Sequence, residues 1–392
     1  MTVAPPSRTS LPVPAPLPAS APFPSASSSA PVRVAYTDLL RFAGAVFASL
    51  GVPPERARAA ARALCYGDLT GMTSHGLANL TRLYLPLFEE GRVNPEAEPR
   101  RVVDRGAAVL WDADRALGLW AGEAAMDLAA ERAAAFGIGM VGVRGATHFG
   151  CAGHHALRAV ERAMIGVVAA NCGGQRIARP PGGAVTMLGT NPLSVAAPAG
   201  GHPPFVLDMS TTAAPTGRIR EAAREGRTIP EGVLRGEDGG AVTDPAAFDE
   251  GRAHLLWLGG GAGQYKGFGL GIAVEVLSAV VSGAGLGAHP DAFGGDGGPG
   301  GRDDDIGFFA AAIAPGVLRT GADADAGVLF GALLGCPPTD PSEPVRYPGW
   351  HEHRRAREHR RHGVPLSVEL YRELRGVAES HGVPAPAPLG RS

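Results

Sequence analysis

Residues 133–150, AAAFGIGMVGVRGATHFG, contain Gly137-x-Gly139-x-x-Gly142, the glycine spacing of a dinucleotide fingerprint. That fingerprint works in one order only: a strand, a tight glycine turn, then a helix whose N-terminus meets the pyrophosphate. Here the order is reversed. Residues 121–136, AGEAAMDLAAERAAAF, have the alanine-rich composition of a helix. Gly137 stands where a left-handed helix-ending residue belongs. Met140-Val141-Gly142-Val143 is short and partly β-branched, as a strand is. Helix, cap and strand argue against a Rossmann turn at these glycines, so a cofactor site must be sought elsewhere.

A chain of 392 residues, 45% of them hydrophobic, has room for two or three domains with a large core. Lys and Arg number 36 against 38 Asp and Glu, so no general attraction to nucleic acid or an anionic membrane is expected. The cysteines, Cys65, Cys151, Cys172 and Cys336, form no CxxC pair, which predicts a reduced, cytoplasmic protein. No apolar run reaches the roughly 18 residues of a membrane span; residues 267–285 are broken by Glu275 and glycines. Residues 1–32 are rich in Pro, Ala and Ser and predict an extended, disordered tail. Their prolines interrupt any apolar stretch of a secretory signal.

Thr37 or Asp38 can cap a helix over Leu39–Leu50, stopped by Gly51, and Pro53-Pro54 opens a second to about Leu69. Residues 71–93 read as a loop feeding a third helix. Strands are predicted at Ala107–Trp111, Met140–Val143, Ile165–Ala170, Leu193–Ala197, Phe205–Met209 and Phe308–Ala314. Helices are predicted over 152–164, Gly267–Val281 and Ser367–Ser380, with a flexible acidic-glycine loop at 294–305. No internal repeat is visible.

Several short stretches could carry chemistry. In Thr73-Ser74-His75-Gly76, His75 is a possible acid or base, or a solvent-facing residue beside a capping serine. His148 follows a strand and precedes a helix, where sites gather in α/β folds and where a helix N-terminus keeps an imidazole neutral. His154 and His155 lie close by, but the spacing matches no usual zinc pattern, so no metal is expected. Asp208 ends the apolar run FVLDM and could orient an imidazole, bind a ribose hydroxyl or cap the next segment. Gly189-Thr190-Asn191-Pro192 reads as a rigid turn. Lys266, opening an apolar helix, opposes the macrodipole and so suggests either a bound anion or a snorkelling side chain. HEHRRAREHRRHG, residues 351–363, reads as a solvated, pH-sensitive surface.

Taken in order, SHGLANLTRLY, GATHFGCAGHHA, MLGTNPLSVAAP, FVLDMSTTAAPTGRIREAAREGRTIPEG, VTDP and YKGFGLGIAVEVLSAVVSGA resemble the type-2 malate/L-lactate dehydrogenase family over about residues 35–385. That family includes sulfolactate and ureidoglycolate dehydrogenases and Δ1-piperideine-2-carboxylate reductases. The resemblance implies an α/β (α+β) protein with a non-Rossmann mixed, largely antiparallel cofactor-binding sheet and a helical domain formed by both chain ends. The implied divisions are 33–120, 121–315 for the NAD(P) domain, and 316–392 returning to the first domain. It implies a homodimer using NAD or NADP on a 2-hydroxy or 2-oxo acid, or on a cyclic 2-imino acid.

By the same resemblance His148 is the favoured proton-transfer residue, His75 the second active-site histidine with Ser74 beside it, and Asp208 the stabiliser of the charged ring. Asn171, Cys172, Gly189, Thr190 and Asn191 would form the nicotinamide-side wall, with Asp208, Met209, Ser210 and Lys266 as further cofactor contacts. The sequence departs from the family's pattern at four places, one of them the GGGAGQ stretch before Tyr265, which is longer than usual. Asn79 stands where an arginine is usual, four residues after His75. Leu83 stands where a tyrosine is usual, eight after, with Tyr84 next. Arg218 replaces a common lysine. Two other readings remain open: a metal-dependent hydrolase using His148, His154, His155 and Asp208, and an inactive family member serving in assembly.

Overall fold

The computed structural model describes residues 30–294 and 302–390. The predicted tail falls mostly on 1–29, and most of the predicted glycine-acid loop on 295–301, outside the described residues. The strands are β1 (Val32–Val34), β2 (Arg100–Arg105), β3 (Ala108–Ala116), β4 (Ile138–Ala146), β5 (Ile165–Ala170), β6 (Leu193–Ala199), β7 (His202–Met209), β8 (Leu234–Gly236), β9 (Ala241–Val242), β10 (Ala253–Leu255), β11 (Ile306–Ile313) and β12 (Val364–Leu366). The helices are α1 (Tyr36–Ser49), α2 (Pro54–Thr70), α3 (Leu85–Glu89), α4 (Gly118–Phe136), α5 (Ala152–Val160), α6 (Thr216–Arg224), α7 (Ala246–Asp249), α8 (Gly260–Glu275), α9 (Pro315–Leu318), α10 (Ala322–Leu334), α11 (Trp350–His362) and α12 (Val368–Ser380).

Seven strands form one sheet in the order β2-β3-β4-β11-β5-β6-β7. Neighbours are antiparallel except β3 and β4, which run parallel and are connected through α4. This is the mixed, largely antiparallel sheet the resemblance implied. A smaller sheet, β10-β8-β9, carries its own core around Ile177, Ile219, Leu234 and Phe248. β1 pairs with β12, Val32 opposite Leu366, so the two ends of the described chain meet. One continuous apolar core runs from α1 and α2 through α4 to the sheet.

The opening glycines do what the reversed order requires. Gly137 has φ +82° and ends α4. At Gly139 a Cβ would lie 2.2 Å from the Ala129 carbonyl oxygen, so only glycine lets β4 pass this close to α4. Gly142 is three residues on and faces the other side of the sheet, where a Cβ would meet nothing nearer than 3.6 Å.

Some boundaries differ from expectation. α5 ends at Val160 rather than 164, and Ala163 takes φ +56° in the turn that follows. The predicted Gly267–Val281 helix corresponds to α8, which kinks at Gly260 and Gly261 (φ +48° and +34°), runs regularly from about Ala262, and continues past Glu275 as a π-turn over Val276–Val280. Its glycine-rich first turns carry no helix propensity, which hid the true start. Lys266 therefore lies about one turn inside the regular part of α8, so the dipole conflict expected there is reduced. The His/Arg-rich stretch forms α11, and α10 was not foreseen. No described helix is long and apolar enough to cross a membrane.

Gly139→Ala should lower stability by about 1–3 kcal/mol or more, because backbone must move to admit the methyl group. Gly142→Ala should be tolerated, and chemical denaturation of the two variants separates them. Equal losses would remove the close-approach role of Gly139.

Candidate active site

The first histidine sits where α2 ends. Gly71, at φ +82°, terminates that helix, and Thr73–His75 form a single 3₁₀ turn. Asp68, buried near the end of α2, accepts the Leu77 N–H at 2.6 Å and so fixes the chain just past His75. A Cβ at Gly76 would lie 2.3 Å from Asp68 Oδ2, so the SHG glycine makes room for this carboxylate. Burial pushes the Asp68 carboxyl up to about 7, against the Leu77 hydrogen bond. From α11, His359 Nδ1–H donates to the carbonyls of Leu69 at 2.9 Å and Asp68 at 3.2 Å, occupying the carbonyl end of α2.

Ser74 Oγ lies 2.9 Å from His75 Nδ1, and Asn79 Nδ2 donates to the Ser74 carbonyl at 3.0 Å. The residue standing in place of the usual arginine is thus used to hold the loop. The N-terminus of α6 rests on the same loop, with a Cβ at Gly217 only 2.6 Å from Ser74 Cβ.

The second histidine comes from the β4–α5 connection. Gly150 N–H donates to His148 Nδ1 at 3.2 Å, which makes that nitrogen an acceptor. Tyr84 O–H donates to the same nitrogen at 2.8 Å, burial holding the phenol well above its usual range. The proton of the neutral ring therefore sits on Nε2. Tyr84 comes one residue later than the family's spacing, yet reaches the ring. Leu80–Tyr84 form a π-turn, whose wider loop takes up the additional residue.

The His75 and His148 rings stack at 5.8 Å between centroids and 22° between planes. Burial holds His75 down at about 3, with His148 and Arg218 adding to the shift, and burial holds His148 at about 4. Both rings are neutral across the physiological range. Arg218 itself forms no ion pair among the described residues.

Asp208 is placed differently from expectation. Its Oδ2 accepts Gly153 N–H at 2.7 Å, in the first turn of α5, and no hydrogen bond joins it to either active-site imidazole among the described residues. Burial pushes its carboxyl up to about 6, against that bond. It therefore holds α5, and with it the His148 loop, rather than backing the ring.

On the cofactor side, the predicted wall is joined by a residue the sequence marked only as an interruption. Glu275 Oε1 accepts Gly287 N–H at 2.6 Å and Asn171 Nδ2 at 3.3 Å, and Glu275 Oε2 accepts Asn191 Nδ2 at 2.8 Å. Asn171 is further tied to Gly285 and Gly307, and Asn191 holds φ +39° in the Gly189–Pro192 turn. A Cβ at Gly189 would lie 2.3 Å from Cys172 Cβ, and Cys172 Sγ lies 3.6 Å from Thr190 Oγ1. Met209 closes β7 opposite Leu193, and Ser210 Oγ donates to the Thr212 carbonyl. The signal for both missed acids, Asp68 and Glu275, was available: a lone carboxylate in an apolar helix must find donors to be buried.

Lys266 is solvent-exposed, with its Nζ 5.9 Å from the Tyr265 ring centroid. His154 Nε2 bonds Glu123 at 2.7 Å, and His155 Nε2–H donates to the Phe149 carbonyl at 2.7 Å. These two and Asp208 are each committed to a different partner, which removes the geometric basis for the hydrolase alternative.

A mixed sheet flanked by helices, with two neutral imidazoles and an unpaired arginine where helical and sheet segments meet, suits an oxidoreductase of small oxygenated acids. The malate/L-lactate dehydrogenase family model matches residues 34–375. A malate dehydrogenase of Pyrococcus abyssi is 37% identical over 261 residues, 66% of this chain and 71% of that protein. A (2R)-3-sulfolactate dehydrogenase (NADP(+)) of Chromohalobacter salexigens is 31% identical over 336 residues, 86% of this chain and 95% of that one. The crystal structure of malate dehydrogenase from Entamoeba histolytica superposes with a TM-score of 0.83 at 27% identity, covering 91% of this chain and 99% of the other. The chain belongs to the malate/L-lactate dehydrogenase family, and as a member it is an NAD(P)-dependent oxidoreductase acting on hydroxy acids.

Tyr84→Phe removes one of two hydrogen bonds that set the His148 tautomer and should lower kcat about tenfold with little loss of stability. Glu275→Gln turns an amide group toward donors and should cost about 1–3 kcal/mol in chemical denaturation. A Glu275→Gln variant as stable as wild type would show that the carboxylate is not the junction of these segments.

Proposed function

We propose that the protein interconverts a 2-hydroxy acid and a 2-oxo acid, with His75 as the proton-transfer residue and His148 as a hydrogen-bond donor to the reacting oxygen. The carrying observation is that Gly150 N–H and Tyr84 O–H both donate to His148 Nδ1, so its Nε2 already bears a proton. His75 is the complementary ring. With Nδ1–H donating to Ser74 Oγ, its Nε2 is left bare to accept the hydroxyl proton during oxidation. The preference for His148 drawn from resemblance is therefore reversed.

Arg218 supplies the unpaired cation for the substrate carboxylate, since its charge already reaches His75. That carboxylate in turn raises the basicity of His75, offsetting part of the burial effect as the site fills. The nicotinamide, when bound, carries the hydride.

The residues present suit a dinucleotide. Lys266 is an exposed cation with no carboxylate partner among the described residues, and Ser210 donates inward while keeping lone pairs for a ribose hydroxyl. All four cysteines are free thiols, consistent with a cytoplasmic setting. A homodimer fits the apolar row Ile272, Val276 and Val280, exposed by 42%, 46% and 61%. Light scattering should give the mass of a dimer, and a monomer mass would overturn this assembly.

The direct test is NADH and NADPH oxidation with pyruvate, oxaloacetate, 3-sulfopyruvate, oxalurate and Δ1-piperideine-2-carboxylate. Turnover with one of the oxo acids is expected, and turnover with the imine alone would reassign the substrate class. His75→Ala should lower kcat about 10²–10⁴-fold while NADH still binds by fluorescence. For oxidation, kcat/KM reports the free enzyme, where His75 ionises at about 3. The base is then neutral over the working range, so His75 itself adds no bend between about pH 8 and about pH 5, where Asp68 and Asp208 titrate. A bend near pH 6.5 that persists in Asp68→Asn and Asp208→Asn variants would contradict a neutral base.

A further inference from the structure

A second pocket lies away from the histidines, between the Arg179–Gly183 loop and the small sheet. Its volume is about 230 Å³, and its walls include Arg179, Arg235, Glu237, His254 and Gln264. Three features mark donor groups left without partners. Arg235 in β8 and His254 in β10 are direct cross-strand partners, so two basic side chains face each other on one side of the ladder. Arg235 is half-buried with no hydrogen bond or ion pair among the described residues. Arg179 Nε and His254 Nδ1 are both buried without a hydrogen-bond partner among the described residues.

Glu237 is the one acid in the pocket wall. It grips both terminal nitrogens of Arg179, which shows how that guanidinium presents its fork to a planar or tetrahedral oxyanion. Glu237 is 65% exposed and can swing aside. Gly182 and Gly239 have no atom within 4 Å of a would-be Cβ, so backbone adds no crowding on their sides.

We propose that this pocket binds a phosphate monoester, with Arg235, His254 and Arg179 as its donors and Glu237 as an internal competitor. Gln264 brings the pocket within two residues of Lys266. On that ground the ligand is the ribose 2′-phosphate of NADP(H), an assignment that rests on the dinucleotide reading above, whereas the phosphate site does not.

The test compares wild type, Arg235→Gln, His254→Gln and Glu237→Gln by thermal shift and calorimetry with inorganic phosphate, adenosine 2′,5′-bisphosphate and adenosine 5′-monophosphate at constant ionic strength. Wild type should bind phosphate and prefer the 2′,5′-bisphosphate. Arg235→Gln and His254→Gln should weaken phosphate binding about tenfold or more, and Glu237→Gln should strengthen it. If KM for NADPH then rises in Arg235→Gln with KM for NADH moving far less, the source is the ribose phosphate. Lost phosphate binding with both KM values unmoved would identify a free phosphate or another phosphomonoester as the ligand. Absence of phosphate binding beyond that of chloride, or variants that bind like wild type, would overturn the site. Turnover of NADH by wild type in that case would leave the oxidoreductase reading standing.

Discussion

Three carboxylates, Asp68 and Glu275 buried and Asp208 half-buried, hold the candidate site together, each through a main-chain N–H of a glycine or of its neighbour. Asp68 takes Leu77 N–H next to Gly76, Asp208 takes Gly153 N–H, and Glu275 takes Gly287 N–H. In each case the would-be Cβ of the glycine comes within 3.4 Å of a carboxylate oxygen. A buried acid is costly unless its oxygens are filled, and an amide N–H can fill them only if no side chain intervenes. The glycine supplies that access. The three junctions fall where chemistry needs rigidity: past the first histidine, after the second, and behind the cofactor-side wall. No regular secondary structure would join these segments otherwise.

This arrangement explains why much of the fold was legible in the sequence and part of the site was not. Strands β4 to β7 and helices α1, α2 and α4 follow from apolar runs, proline starts and glycine stops, which act locally. The reversed order around Gly137 was enough to set aside a Rossmann turn, since a cap and a close approach each need only neighbouring residues. Asp68 and Glu275 act on donors 9 and 12 residues away or more, so nothing in their own neighbourhood reveals the partner. The start of α8 was set about one turn late because glycine runs conceal where a helix begins. Tyr84 was off by one in count but not in space, because a π-turn widens the helix at that point.

The same burial that fixes the loops sets the electrostatics. Two imidazoles kept neutral in contact with each other form a site that holds no net positive charge of its own, with the Arg218 charge acting on His75. In the proposed reaction Arg218 would offer an anionic substrate a directed charge, favouring a single orientation of its carboxylate. The tautomer of His148 is dictated from outside by a tyrosine and an amide, so the two rings are chemically distinct although both are neutral.

The pairing of β1 with β12 has a consequence for how the molecule comes into being. Val32–Val34 has no strand partner until Val364–Leu366 exists, and the carbonyl end of α2 waits for His359. Synthesis runs from one of these segments to the other across nearly the whole chain. The central sheet can form first from nearer contacts, while the loop bearing His75 is among the last parts to be secured, since loop closure over such separations is slow. The placement of His75 then arrives after compactness, and a nascent chain that already looks folded would still lack the geometry proposed for proton transfer.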